Sequence, residues 1–255
     1  MSARDATARF SDRVADYVRY RPDYPRALLD WLQREQRITP AWTVADIGAG
    51  TGISSRLFLD AGYRVTAVEP NAAMRAAAVQ WLGPCDRFRA IDGRADATGL
   101  PDAGTDLIVV AQAFHWFDPQ STRVEFGRIL RKGGLAAIWW NSRRLGGTPF
   151  LEGYEALLRR YGTDYAMVAE RYASDETMRD WFGAGLRGEA HFTHGQRLDF
   201  DGLLGRLLSS SYAPRDDHPD HTPMKHALRV LFDACADDGV VSLDYDTRIF
   251  VGEVR

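Results

Sequence analysis

The chain has 255 residues, is 45% hydrophobic and carries a formal net charge of −3 at pH 7. This length and composition fit one α/β domain with an insertion and a large buried core. A general nucleic-acid binder needs clustered Lys and Arg, which are not found, so a small-molecule ligand is favoured. The polar start of the chain and the lack of a long apolar segment predict a cytoplasmic protein that is not inserted in a membrane.

Disulfides and metal sites are also not favoured by the sequence. Cys85 and Cys235 lie far apart without a partner motif, so we expect free thiols. The loop over residues 216–221 contains residue types that bind metals, but such a polar run is more typical of a solvated loop. We therefore predict neither a disulfide nor a metal site.

In chain order, the first predicted elements are two helices within residues 5–36. The apolar residues of segment 10–21 follow a helical spacing, and Pro22 cannot continue a helix. A second helix is predicted over 25–34, with its leucines on the inner face.

The next segment is the most informative one in the chain. An apolar strand over 44–47 leads into a loop with glycine at alternate positions, Gly48, Gly50 and Gly52. A helix is predicted over 53–61. Glycine lets the backbone pass close to a ligand, and the free N–H groups that open a helix favour an anionic group there. Ile53 stands where the dinucleotide fingerprint has its third glycine, and no P-loop lysine follows.

The second predicted strand, over 63–68, ends at Glu69. An acid at this point can accept hydrogen bonds from both ribose hydroxyls of a nucleoside, and its charge repels a 2′-phosphate. The ligand is therefore expected to carry a free ribose. Asn71 then caps a helix that runs to Leu82.

Strands and helices continue to alternate, which predicts a doubly wound sheet with ligands at the carboxyl ends of its strands. Further strands are predicted over 88–91, 106–111 and 135–140, with a helix that begins at Asp118-Pro119 and ends at Gly133-Gly134. Helical patterns follow within 142–185, over 201–210 and over 223–236. Alternating apolar and polar residues over 190–200 and 243–251 predict two half-buried strands.

These motifs, in this order, resemble the class I S-adenosylmethionine-dependent methyltransferases, and within them the group similar to trans-aconitate methyltransferase. The matching motifs are Asp46-x-Gly48-x-Gly50-x-Gly52, Glu69-Pro70-x-x-x-Met74, Gly93-x-Ala95-Asp96-x-x-x-Leu100-Pro101, the segment from Ala111 to Phe117, and Leu130-Arg131-x-Gly133-Gly134. The resemblance implies one α/β domain over 1–255, with a Rossmann-like, doubly wound, seven-stranded, mostly parallel sheet whose last strand is antiparallel. It also implies N-terminal lid helices over 5–36 and a helical cover inserted after the fifth strand, at about 143–185.

The resemblance further implies S-adenosylmethionine as the cofactor and S-adenosylhomocysteine as the product. Glu69 would bind the ribose, Met74 would lie against the adenine, and Asp96 with the Ala95 amide would read the adenine edge. Alternatively, Met74 is a core methionine, Asp96 a loop acid and Arg21 a helix-capping residue. The implied cofactor-binding residues are Tyr17, Arg21, Asp46, Gly48, Ala49, Gly50, Glu69, Pro70, Met74, Ala95, Asp96 and Gln112.

Asp46 would orient the amino end of the cofactor, and Gln112 begins the segment that faces the sulfonium. His115 is the candidate general base, since a neutral imidazole accepts a proton near pH 7; alternatively it makes a structural or substrate-orienting hydrogen bond. Arg143 or Arg144 would hold an acceptor carboxylate, as the resemblance permits. The candidate apolar wall beside the sulfonium consists of Phe114, Trp116, Trp139 and Trp140, although core packing would place the same residue types there.

The predicted function is methyl transfer from S-adenosylmethionine to a small molecule, at a carboxylate or another oxygen, by a monomer or homodimer. A protein of the same fold that uses the cofactor for cyclisation, rearrangement or regulation is an alternative that the cofactor motifs do not separate. A nicotinamide-dependent oxidoreductase is disfavoured by Ile53 and by the later motifs.

Overall fold

The computed structural model describes residues 19–165 and 174–254. Its helices are α1 (Arg26–Glu35), α2 (Ile53–Asp60), α3 (Ala72–Leu82), α4 (Pro119–Ile129), α5 (Pro149–Tyr161), α6 (Asp175–Phe182), α7 (Phe200–Leu208) and α8 (His221–Cys235). Its strands are β1 (Thr43–Ile47), β2 (Arg64–Val68), β3 (Phe88–Ile91), β4 (Thr105–Ala111), β5 (Leu130–Arg143), β6 (Leu186–Leu198) and β7 (Val241–Gly252). Short 3₁₀ helices span Phe114–Trp116 and Gly183–Gly185.

The strands form one seven-stranded sheet in the order β3-β2-β1-β4-β5-β7-β6. The first five strands of this order pair in parallel, and β7 runs antiparallel to both β5 and β6. The predicted doubly wound, mostly parallel sheet with an antiparallel last strand is confirmed. Because parallel strands end at the same edge, the loops that follow β1, β2, β4 and β5 meet at the carboxyl edge of the sheet.

Two predicted boundaries are wrong, each because a local turn ends the element. Helix α4 ends at Ile129 and not at Gly133, because Leu130 already has extended backbone and belongs to β5. Phe200 begins α7 and does not extend β6, because the Asp199 side chain caps that helix. The predicted helix over 10–21, and Tyr17 with it, lies outside the described residues except for its last three positions.

Apolar side chains form three clusters around the sheet. One cluster lies between the sheet and helices α1 and α2, and a second lies on the opposite face under α4 and α6. The third joins α5, α7, α8 and the first half of β7, beyond the carboxyl edge. We call α5, α7 and α8 the cover. Of the helical cover predicted over about 143–185, α5 belongs to this group, whereas α6 packs on a face of the sheet. Among the described residues, no helix combines the length and apolar composition that crossing a bilayer requires.

Candidate functional site

The loop after β1 contains three glycines with left-handed backbone, Gly48 (φ 70°), Gly50 (φ 56°) and Gly52 (φ 87°). A Cβ added to Gly48 or Gly52 would come within 2.7 or 2.9 Å of neighbouring side-chain carbons, so both positions are packed against the protein. Gly50 is different, because a Cβ there would meet nothing nearer than Met74 Sδ at 3.9 Å. Gly50 is therefore the position at which this backbone can touch a ligand.

Glu69, directly after β2, is held by two backbone donors. Its Oε2 accepts a hydrogen bond from the Gly50 N–H at 2.9 Å, and its Oε1 accepts one from the Asn71 N–H at 2.8 Å. Burial raises the pKa of this carboxyl, since the residue is only 8% exposed, and the two N–H donors oppose the rise. Each carboxylate oxygen can accept a second hydrogen bond. Two acceptor positions thus remain for a pair of neighbouring hydroxyls, as on a ribose.

Asp46, in β1, is completely buried beneath the glycine loop. Its Oδ2 accepts hydrogen bonds from Ser54 Oγ at 2.7 Å and Ser55 Oγ at 2.6 Å, while Oδ1 has no partner among the described residues. Burial raises the pKa of Asp46 to about 6, although the two serines act against this rise. A buried carboxylate oxygen without a donor favours a cation nearby. This fits the amino group of a methionine-containing cofactor, reached directly or through a water.

Two further buried acceptors at this edge, Thr51 Oγ1 and Gln112 Oε1, lack partners among the described residues. Gln112 follows β4 with a φ of 59°, which is uncommon for a residue other than glycine. Its Nε2 donates to the Asn141 carbonyl at 2.9 Å, so the side chain is fixed between β4 and β5. Buried polar atoms are rarely left unpaired, and a polar ligand at the carboxyl edge would satisfy them.

The residues expected to line the adenine differ in their burial and in their hydrogen-bond partners. Met74 is buried beside the glycine loop, and Ala95 is buried as well. Asp96 receives two hydrogen bonds from the Arg94 guanidinium, at 3.0 and 3.2 Å, and this contact lowers the pKa of Asp96. Pro70 is exposed. Met74 is therefore positioned for a ligand that crosses the loop, whereas the Asp96 carboxylate already has a partner.

The aromatic residues after β4 and in β5 do not form the single wall expected from the sequence. Phe114 is buried in the cluster under α4 and α6, while His115 and Trp116 are partly exposed, with ring centroids 4.8 Å apart. Trp139 and Trp140 are both fully buried, but they belong to different clusters. The prediction is wrong because successive side chains of a strand point to opposite faces of the sheet.

Arg143 and Arg144 both have carboxylate partners within the chain. Arg143 Nη2 lies 2.5 Å from Glu155 Oε2 and donates to Tyr165 Oη at 2.8 Å. Arg144 pairs with Asp246 at 3.2 Å, and both side chains of this pair are nearly half exposed. Both guanidinium groups are therefore already paired, whereas binding of an acceptor carboxylate would require an unpaired one.

No sequence motif points to a hydrogen-bond network that joins β5, β6 and β7 at the carboxyl edge. Asn141 Nδ2 donates to the Asp23 carbonyl at 3.2 Å, and Asn141 Oδ1 accepts from Thr247 Oγ1 at 2.6 Å. His194 Nε2 lies 3.1 Å from the same Asp23 carbonyl. Arg21 Nη2 donates to a carbonyl at the end of α7, at 3.1 Å. These contacts fasten the segment before α1 to the edge where the lid was expected.

Comparison with known proteins finds similarity to methyltransferases. Residues 45–138 match the family model described as methyltransferase domain. An uncharacterized methyltransferase from Mycobacterium tuberculosis is 38% identical over 151 residues, which cover 57% of this chain and 58% of that protein. An uncharacterized methyltransferase from Schizosaccharomyces pombe is 30% identical over 155 residues, or 59% of each protein. The chain thus matches less than two thirds of the length of these relatives.

Solved structures share the fold over nearly the whole chain. A protein from Anaeromyxobacter dehalogenans, proposed to be a type II methyltransferase, has a TM-score of 0.67 at 24% identity, covering 92% of this chain and 98% of that one. Phosphoethanolamine N-methyltransferase 2 from Haemonchus contortus, in complex with phosphomonomethylethanolamine and S-adenosylhomocysteine, has a TM-score of 0.58 at 14% identity, covering 99% of this chain and 60% of that one. At these identities, the likeness establishes the fold.

Proposed function

We propose that this chain, whose residues 45–138 match the methyltransferase domain model, is a class I S-adenosylmethionine-dependent methyltransferase that transfers a methyl group to an oxygen atom of a small-molecule acceptor. The observation that best supports the cofactor in this proposal is the Glu69 carboxylate. It is buried, fixed by the N–H groups of Gly50 and Asn71, and retains acceptor positions for two ribose hydroxyls.

Five residues would hold the cofactor. Gly50 would pass along its methionine part, Glu69 would bind the ribose, and Met74 would contact the adenine. Asp46 would offer its unpaired Oδ1 to the amino group, and Gln112 would turn its unpaired Oε1 toward the sulfonium end. Bound there, S-adenosylmethionine supplies an activated methyl group whose leaving group is neutral. The chain then contributes chiefly orientation, which is worth roughly 7–11 kcal/mol in favourable intramolecular models.

His115 is proposed as the general base for an acceptor that carries a hydroxyl. A carboxylate acceptor is already ionised at pH 7 and needs no base. His115→Gln should therefore lower kcat for a hydroxyl acceptor by about 10²- to 10⁴-fold and change kcat for a carboxylate acceptor little. A similar loss with both acceptors would indicate an orienting or structural role.

Calorimetric titration with S-adenosylmethionine, S-adenosylhomocysteine and NAD tests the cofactor assignment. Glu69→Gln should weaken binding of the first two at least tenfold, or about 1.4 kcal/mol. Asp92→Asn is the matched control, because it removes one negative charge from the same edge at a side chain that is 73% exposed. Binding of NAD alone, or equal losses in both variants, would contradict the assignment. Formation of S-adenosylhomocysteine with added acceptors separates methyl transfer from binding alone.

A further inference from the structure

Arg206, on the inner face of α7, is a buried cation that pairs with no carboxylate in the described part of the chain. The residue is 6% exposed. Its Nε donates to Tyr245 Oη at 3.1 Å, and its Nη1 donates to Ser210 Oγ at 3.0 Å. Within residues 19–165 and 174–254, no carboxylate lies at ion-pair distance from Arg206, and its Nη2 makes no hydrogen bond.

The tyrosines around Arg206 do not supply the missing negative charge. Tyr245 donates its own proton to Gln196 Oε1 at 3.1 Å, so it is a neutral phenol. Burial raises the pKa of Tyr154, which also stays protonated. A guanidinium among apolar and neutral groups is unfavourable unless an anion joins it. Arg206 can therefore accept an anion, and no described residue supplies one.

Arg143 is a second buried cation of the same cover, and it has an acidic partner. Its guanidinium pairs with Glu155, and both side chains are about 90% buried, at 9% and 10% exposure. The charges of Arg143 and Glu155 cancel, and the exposed Arg159 also lies 2.7 Å from this carboxylate. Because no carboxylate among the described residues pairs with Arg206, it adds an uncompensated positive charge to the described part of the cover.

The position of Arg206 is on the acceptor side of the proposed site. Its partner Tyr245 lies opposite Arg143 in the β5–β7 pairing. Asn141, whose carbonyl binds Gln112, lies two residues before Arg143 on the same face of β5, about 7 Å along the strand. Arg206 is thus linked through Tyr245, the β5–β7 pairing and the Asn141 main-chain carbonyl to Gln112, the residue expected at the sulfonium end of the cofactor.

We propose that Arg206 recognises the methyl acceptor by binding a carboxylate on it. This inference rests on the proposed methyltransferase function, which defines the acceptor side of the site. The planar guanidinium can donate two parallel hydrogen bonds to a carboxylate, and its Nη2 is available for one of them. The predicted substrate class is a small molecule that carries at least one carboxylate.

Thermal unfolding of the full chain with saturating S-adenosylhomocysteine tests this proposal. The probes are benzoate, hexanoate and glutarate at constant ionic strength, each compared with its neutral amide. The variants are Arg206→Met, which keeps the apolar stem, and Arg206→Lys, which keeps the charge. Arg229→Met is the control, because Arg229 lies on α8 of the same cover and is 47% exposed.

An acid at about 100 times its Kd should raise the Tm of the wild type by about 5–10 °C, and its amide should not. Arg206→Met should lose this shift, Arg206→Lys should keep part of it, and Arg229→Met should keep all of it. Without acid, Arg206→Met should melt near or above the wild type, because it removes an unpaired buried charge.

The proposal is overturned if no acid stabilises the wild type, if Arg206→Met keeps the shift, or if the amides act as well as the acids. A large drop in the Tm of Arg206→Met without acid would indicate a structural role and would also overturn it. S-adenosylhomocysteine alone must stabilise the wild type if the proposed function holds. Failure of that step refutes the proposed function, whereas its success without any acid effect refutes only the role of Arg206.

Discussion

Replacing Gly50 with alanine separates cofactor binding from folding. Gly50 has a φ of 56°, and an added Cβ would meet no protein atom nearer than Met74 Sδ at 3.9 Å. The cost to folding is that of one left-handed alanine, about 1–2 kcal/mol, which lowers the Tm by about 2–8 °C in a chain of this size. The same Cβ would occupy the path of the cofactor. Overpacking there costs about 1–3 kcal/mol and should weaken binding roughly 5- to 150-fold.

Gly133→Ala is the matched control for this experiment. Gly133 also has left-handed backbone, with a φ of 80°, and an added Cβ would meet nothing within 4 Å. It lies between Leu130 and Leu135, which pair with Thr105 and Leu107 at the amino ends of β5 and β4, away from the glycine loop. Thermal unfolding and calorimetric titration with S-adenosylhomocysteine measure the two effects separately. Both variants should lose a similar amount of stability, and only Gly50→Ala should lose affinity.

Equal affinity of the two variants for S-adenosylhomocysteine would refute the assignment of Gly50 to the cofactor wall. A much larger loss of stability in Gly50→Ala than in Gly133→Ala would instead mean that Gly50 packs against protein atoms. Either result would remove the geometric distinction between Gly50 and its two neighbouring glycines, which are packed against side chains.

Three further predictions concern buried charges. Because burial raises the pKa of Asp46 from 3.8 to about 6, the wild type should lose stability relative to Asp46→Asn as the pH rises. Its free energy of unfolding should fall by about 2 kcal/mol between pH 4 and pH 6 on this comparison, as measured by urea denaturation without cofactor. Hydrogen bonds from Arg128 lower the pKa of Glu125 from 4.5 to about 2. The ionised Glu125 therefore contributes fully to stability above pH 4.5, and this contribution is lost as the pH falls toward 2. Glu125→Gln should flatten this part of the acid-unfolding curve. Arg143→Met should cost up to about 3–5 kcal/mol in the same denaturation assay because it removes a partner of the buried Glu155, and adding Glu155→Gln should restore part of this loss.

The parallel core of the sheet could be predicted because its signals are local. The apolar runs of β1 and β4 and the glycines after β1 each lie within a short window of sequence. The residues that form the sequence pattern are therefore also the residues that form the local structure. The position of Glu69 follows in the same way from the end of β2. The placement of these residues at one edge then follows from the parallel order of the strands.

The pairing of buried charges could not be predicted in this way. Arg143 and Arg144 leave β5 at the expected edge, but their acidic partners lie 12 and 102 positions away in sequence. Periodicity gives no information on which distant carboxylate reaches a guanidinium. The error over Trp139 and Trp140 is of another kind, because the alternation of side chains along a strand already separates them.

Arg206 left a partial signal in the sequence. It interrupts the apolar run from Leu203 to Leu208, so the helical pattern places a charge on the inner face of α7. The sequence pattern does not reveal that no described carboxylate meets this charge, because that depends on the packing of α7 against β7. A buried cation becomes informative about ligands only when its surroundings are known.

The charges around the site are divided between its two sides. Asp46 and Glu69 contribute negative charge beside the glycine loop, and Arg206 contributes positive charge within the cover. In the proposed reaction, this division favours a cationic cofactor on one side and an anionic acceptor on the other, in one relative orientation. Methyl transfer removes the sulfonium charge, so the attraction between cofactor and acceptor that helps to assemble the complex is absent from the products. When an acid occupies the acceptor side, S-adenosylhomocysteine should therefore bind more weakly than S-adenosylmethionine. Competitive titration of the two at a fixed acid concentration can measure this difference.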